Sequence, residues 1–129
     1  MAVKFLSEEW AQAVTDALNS SNDFKTAAGR QTAKLQEVVT DSPQGAEVKY
    51  YFSLEGGDAR VALGELDGAE ATISQNYETA VALDKQELNP QQAFMQGKIK
   101  ISGNMMKIMQ LQPVFSALPK AAAKVDREY

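Results

Sequence analysis

The sequence predicts an α+β domain on a five-stranded sheet, and three observations carry that expectation. Three alternating runs lie between residues 31 and 65, separated by tight turn signals. Helix-period segments flank them at both ends of the chain. Between residues 98 and 111 an alternating run, Lys98-Ile99-Lys100-Ile101-Ser102, passes through Gly103-Asn104 into a methionine-rich helix. A period of two places alternate side chains on opposite faces of a strand, and a period near 3.6 places them on one face of a helix. A chain of 129 residues fits a single domain.

The elements follow in order. Ser7 is an N-cap with Glu8 and Glu9 in the first turn, where the helix dipole favours acids. Trp10, Ala13, Val14, Ala17 and Leu18 then share a helix face, with Trp10 as the core anchor. A second short helix spans Asp23 to Ala28 and stops at Gly29. The strands Gln31–Thr40, Glu47–Glu55 and Ala59–Glu65 form an antiparallel meander. Asp41-Ser42-Pro43-Gln44-Gly45 makes the first turn, and Gly56-Gly57-Asp58 makes the tightest one. Val48, Tyr50, Phe52 and Leu54 share one face of the middle strand. Leu66-Asp67-Gly68 turns the chain into a fourth strand, Ala71–Gln75. A helix from Asn76 to Asp84 and a helical turn or two from Leu88 to Met95 follow, with Pro90 suited to a first helical position. After the fifth strand, Lys98–Ser102, Asn104 caps the helix Met105–Leu111. Pro113 restarts the chain into a last helix, Val114 to about Lys124, with a kink expected at Pro119.

Composition removes several classes of chemistry. There is no cysteine, so disulfides, thiolate metal sites and a cysteine nucleophile are excluded. There is no histidine, the commonest general base and transition-metal ligand. Only carboxylate, lysine or tyrosine chemistry remains for a hydrolase or isomerase. The paired acids Glu8-Glu9, Asp67/Glu70 and Asp126/Glu128 sit in polar or terminal contexts. They lack the convergent oxygen set a hard cation wants, so neither a metal nor a cofactor is expected. Thirteen basic against seventeen acidic residues give a net charge of −4, which argues against nucleic acid as a partner. No apolar run is long enough for a membrane span, and the start MAVKFLSEEW lacks the apolar segment of a signal peptide.

The stretch from Asn89 to Gln112 also carries a resemblance. Asn89-Pro90-Gln91, Ala93-Phe94, Gln96-Gly97-Lys98, Lys100, Gly103-Asn104-Met105 and Leu111-Gln112 resemble the C-terminal signature of the sterol carrier protein 2 (SCP-2) family, without a gap. The N-terminal half matches in its order of elements. The resemblance implies a five-stranded, mostly antiparallel sheet covered by helices on one face, with an apolar tunnel between them. It implies non-catalytic binding of a lipid such as a fatty acid, an acyl-CoA or a sterol-like molecule, and its transfer. The alternative is an accessory interaction subunit of a lipid-metabolising enzyme. The C-terminus, Asp126-Arg127-Glu128-Tyr129, is not the peroxisomal address common in eukaryotic members, so a free-standing, cytoplasmic, bacterial protein is expected.

Within that resemblance, Met105, Ile108, Met109 and Leu111 become tunnel wall, whereas on the residues alone a filled core is the favoured reading. Phe52, Phe94, Ile99 and Ile101 join the wall, and plain packing under the sheet is the other reading. Gln91 and Gln112 stand where the family carries glutamines and either meet the lipid head group or remain ordinary helix residues. Phe115 and Leu118, three apart on the last helix, face the same cavity as part of a lid. Two residues depart from the family pattern. Met106 replaces a frequent glycine. Lys107 replaces a frequent apolar residue and either points to solvent or pairs with an anionic head group at the tunnel mouth. Glu8, Glu9 and Asp16 on the first helix oppose docking on anionic lipid, leaving at most a transient membrane contact through Lys120, Lys124 and Arg127.

Overall fold

The computed structural model describes residues 2–43 and 45–129, so the expected turn residue Gln44 lies outside the described residues. Five strands form one sheet: β2 (Ala33–Ser42), β3 (Gly45–Glu55), β4 (Asp58–Leu63), β5 (Ala71–Asn76) and β6 (Ile99–Gly103). Their order is β4-β3-β2-β5-β6, antiparallel except for the parallel pair β2 and β5. The expected meander is present, with the turn at Gly56-Gly57 joining β3 to β4. Gly57 has no substitute there. Its φ is +92°, and a Cβ would lie 2.2 Å from the carbonyl oxygen of Gly29.

Helices α1 (Glu8–Ser20), α2 (Asn22–Ala28), α3 (Tyr77–Asp84), α5 (Met105–Gln110) and α6 (Gln112–Ala122) contribute to one apolar core with the inner face of the sheet. The short helix α4 (Pro90–Met95) packs beside β6. Caps set the boundaries. The Ser7 hydroxyl accepts from the N–H of Trp10, Asn76 from Thr79, Asn89 from Gln91 and Asn104 from Lys107. The last helix begins two residues before the expected Val114, because Pro113 is tolerated in a first turn, where its missing N–H has no partner to lose. The helix continues through Pro119 to Ala122.

Two features were not foreseen. Two-residue strands β1 (Val3–Lys4) and β7 (Arg127–Glu128) pair in parallel and join the two ends of the chain. Arg127 fastens this clasp: its Nη1 donates to Asp84 Oδ1 at 2.7 Å, and the hydroxyl of Tyr129 donates to Asp84 Oδ2. The other feature is the closed edge of β4. The amide of Asn19 imitates a neighbouring strand. Its Oδ1 accepts the N–H of Ala59 at 2.9 Å, while its Nδ2 donates to the Ala59 carbonyl at 2.9 Å. Thr15 Oγ1 accepts the N–H of Val61 at 2.8 Å. Helix α1 thus blocks an edge that would otherwise template another chain.

Candidate functional site

The inner face of the sheet is set by register. One row crosses all five strands as Leu63, Tyr50, Glu37, Ile73 and Ile101. The row on one side of it reads Val61, Phe52, Leu35, Ala71 and Gly103. The row on the other side contains Val48, Val39, Gln75 and Ile99. All three rows are apolar or small except at Tyr50, Glu37 and Gln75. Leu35, Val39 and Phe52 are fully covered by the helices. Tyr50, Ile73 and Ile101, with Tyr77 and Val81 of α3 and Phe115 and Leu118 of α6, pack against the core but are only half-buried.

Glu37 is the exception to the pattern of its own strand. Ala33, Leu35 and Val39 are buried on the same face, so period two places a carboxyl group among apolar neighbours. Its Oε2 is buried and has no hydrogen-bond partner. Burial pushes its pKa from 4.5 up to about 8, because no cation offsets the loss of solvent. Burial also raises the Tyr50 phenol well above its usual value, helped by the charges of Glu37 and Asp84. Both residues are half-buried and keep some accessible surface.

The expected site residues divide into two groups. Phe52, Ile99, Ile108 and Leu111 are buried, and Ile101, Gln112, Phe115 and Leu118 are half-buried. Gln91 is exposed in the first turn of α4. Phe94 is 44% exposed, Met105 40% and Met109 69%. The reason is geometric: the six-residue helix α5 buries only Ile108, while Met105 and Met109, four apart, share a different face. Lys107 is mostly covered, and its Nζ lies 3.8 Å from Glu70 Oε2. Helix α6 is not a free lid, since Val114, Ala121 and Ala122 belong to the core. Glu37 was missed as a site residue, although the alternation of Ala33, Leu35 and Val39 places it on the apolar face.

Two open clefts lie elsewhere. One, about 460 Å³, runs between α1 and β4 and is lined by residues such as Gln12, Thr15 and Arg60. The other, about 400 Å³, lies between α1 and the segment Lys124-Val125-Asp126. Neither touches an expected site residue.

The fold has relatives among known proteins. The sequence pattern of the SCP-2 sterol transfer family matches residues 8–116. The chain belongs to that family. Among curated proteins, this SCP-2 chain is 39% identical to chicken (Gallus gallus) sterol carrier protein 2 over 74 residues, which is 57% of this chain and 14% of the relative. The chain therefore spans a small part of the curated relatives it matches. Among solved structures, a crystal structure of sterol carrier protein 2 superposes with a TM-score of 0.80 at 25% identity, covering 95% of this chain and 99% of the other. A solution structure of a Thermus thermophilus protein has a TM-score of 0.80 at 24% identity, covering 98% of this chain and 93% of the other. Membership places this SCP-2 domain among lipid-binding and lipid-transfer proteins. Among the described residues no helix is long and apolar enough to cross a membrane.

Proposed function

We propose that this SCP-2 domain binds a single-chain or sterol-like lipid, without catalysis, between the inner face of the sheet and helices α3, α5 and α6. The observation that supports this reading is the half-buried row from Tyr50 to Ile101 on the inner face of the sheet, with Phe115 and Leu118 of α6 likewise half-buried against the core. Phe52, Ile99, Ile108 and Leu111 back that space as wall, and Gln112 stands at its rim. Met105, Met109 and Phe94 are adaptable apolar groups available to close over an entering chain. Gln91 stays a surface residue in this reading.

Each buried CH₂ contributes about 0.8 kcal/mol, close to a fourfold gain in affinity. Displacement of a fluorescent fatty acid by saturated fatty acids of increasing length tests the reading. Affinity should climb with each methylene and level off where the space is full. Equal affinity at every length would sink it, as would failure of every long-chain probe to bind.

A second reading is favoured by one observation. Phe94, Met95, Met105, Met106 and Met109 are exposed large apolar residues on α4 and α5. Surfaces of this kind mark interaction sites, and a lipid-metabolising enzyme would be the fitting partner. Met95→Glu combined with Met106→Glu separates the two. Unchanged lipid affinity with loss of delivery to an acyl-consuming enzyme supports docking, and unchanged delivery refutes it.

A further inference from the structure

Among the described residues only two buried side-chain polar atoms have no partner, Trp10 Nε1 and Glu37 Oε2. Both belong to residues that adjoin Tyr50. The Trp10 and Tyr50 rings meet edge to face at a centroid distance of 5.3 Å, and Glu37 is the register partner of Tyr50 on the neighbouring strand. Buried polar atoms are normally paired, and an orphan costs about 1–3 kcal/mol. Two orphans from different elements, α1 and β2, both on residues beside Tyr50, therefore need an explanation.

We propose that Glu37, with the Tyr50 hydroxyl and the Trp10 indole N–H around it, is the polar anchor for the head of the bound lipid, and that it selects an uncharged oxygen acceptor such as an ester or hydroxyl oxygen. The proposal rests on the lipid-binding reading above. It names the chemistry at one end of the ligand, which the apolar wall leaves open.

The charges around the anchor disfavour an anionic head. On α3, Asp84 is taken up by Arg127 of β7 and by the Tyr129 hydroxyl. Tyr77 of the same helix is a neutral phenol, raised by burial. On α5, Lys107 lies against Glu70. No cation contributes to the displaced pKa of Glu37, which burial alone accounts for. A carboxylate or phosphate placed here would lose its solvent without gaining a counter-charge. Near neutral pH the Glu37 carboxyl keeps its proton and donates it to a ligand oxygen. The Trp10 N–H is a donor only, and the Tyr50 O–H can donate or accept. An acceptor oxygen is thus the group this arrangement serves.

The test uses the full chain and three probes of one chain length: methyl laurate, laurate and dodecane. Each displaces a fluorescent lipid at about pH 6.5 and about pH 9.5, on either side of the shifted pKa. At the lower pH the ester should bind about tenfold or more tightly than dodecane, and more tightly than laurate. At the higher pH the ester should lose most of that advantage, because an ionised Glu37 repels its carbonyl. Glu37→Leu should abolish the advantage at both pH values and leave dodecane unchanged. Glu37→Gln, whose amide still donates, should keep the advantage and lose its pH dependence. An ester preference that survives Glu37→Leu overturns the anchor, and so does a pH dependence that survives Glu37→Gln. If dodecane and the fluorescent lipid themselves fail to bind, the lipid-binding reading has failed and the anchor falls with it.

Discussion

Replacing Glu37 by Gln should stabilise the protein, and by more as the pH rises. The magnitude follows from burial. In the unfolded chain Glu37 loses its proton near pH 4.5, and in the folded protein it holds it until about pH 8. Between those values the folded state binds more protons than the unfolded one, so stability falls as pH rises. At about 1.36 kcal/mol per pKa unit the loss across that window is about 5 kcal/mol. A domain of this size has about 5–15 kcal/mol in total, so one side chain governs much of its alkaline stability. Below pH 4.5 the group is protonated in both states and the contribution vanishes. Above pH 8 it is ionised in both and the penalty stays constant. Urea unfolding of both proteins, at intervals from about pH 4 to pH 9, isolates the residue, since every other titration cancels in the difference. The difference should be flat below pH 4.5, climb through the window and then level off. A difference that is constant over the whole range would show that the carboxyl reaches water, and the argument from burial would be wrong.

Three further outcomes are expected. Asn19→Ala removes both hydrogen bonds to Ala59. It should cost about 1–3 kcal/mol and promote concentration-dependent self-association through the uncovered edge, measured by denaturation and light scattering. Gly103→Ala should destabilise by about 2 kcal/mol or more in thermal unfolding, since φ is +106° and the new Cβ would lie 2.6 Å from the Glu70 carbonyl oxygen. Met109→Gln should change stability by less than about 0.5 kcal/mol in the same assay, because the side chain is 69% exposed.

The sheet was legible because its strands alternate cleanly and its turns carry glycines at positions of positive φ, such as Gly56 and Gly57. Caps were legible where a short polar side chain precedes an apolar run, as at Ser7 and Asn104. The pairing of β1 with β7 was not, since two residues have no period. That clasp depends on Asp84 meeting Arg127 from 43 residues away. The strand-like role of Asn19 was hidden for the same reason, because an asparagine near a helix end reads as a stop signal until β4 lies beside it. At the candidate site, burial of Ile99, Ile108 and Leu111 agrees with their apolar period. The exposure of Met105 and Met109 does not follow from composition. It follows from the shortness of α5, which leaves one turn and a half to choose which residue faces inward. Glu37 was readable, but only by asking which residue breaks an apolar alternation instead of which residues continue it.

That break lies on an interior strand of the sheet. Strand β2 is flanked on both sides by paired strands, β3 and β5, so the Glu37 backbone is fixed by ladders of hydrogen bonds in two directions. An anchor mounted there keeps its position whatever the lipid chain does. The opposite wall is built differently. Helix α5 is short, rich in unbranched methionine and attached through the corner at Gly103, so it can repack at small cost. In the proposed site a rigid polar floor therefore faces an adaptable apolar roof. Such a division predicts discrimination at the head group and tolerance along the chain, since an unpaired buried polar group penalises a wrong head far more than a methylene more or less penalises a wrong tail. The destabilising carboxyl is consistent with this division: residues that serve binding are often the ones the bare fold would be more stable without.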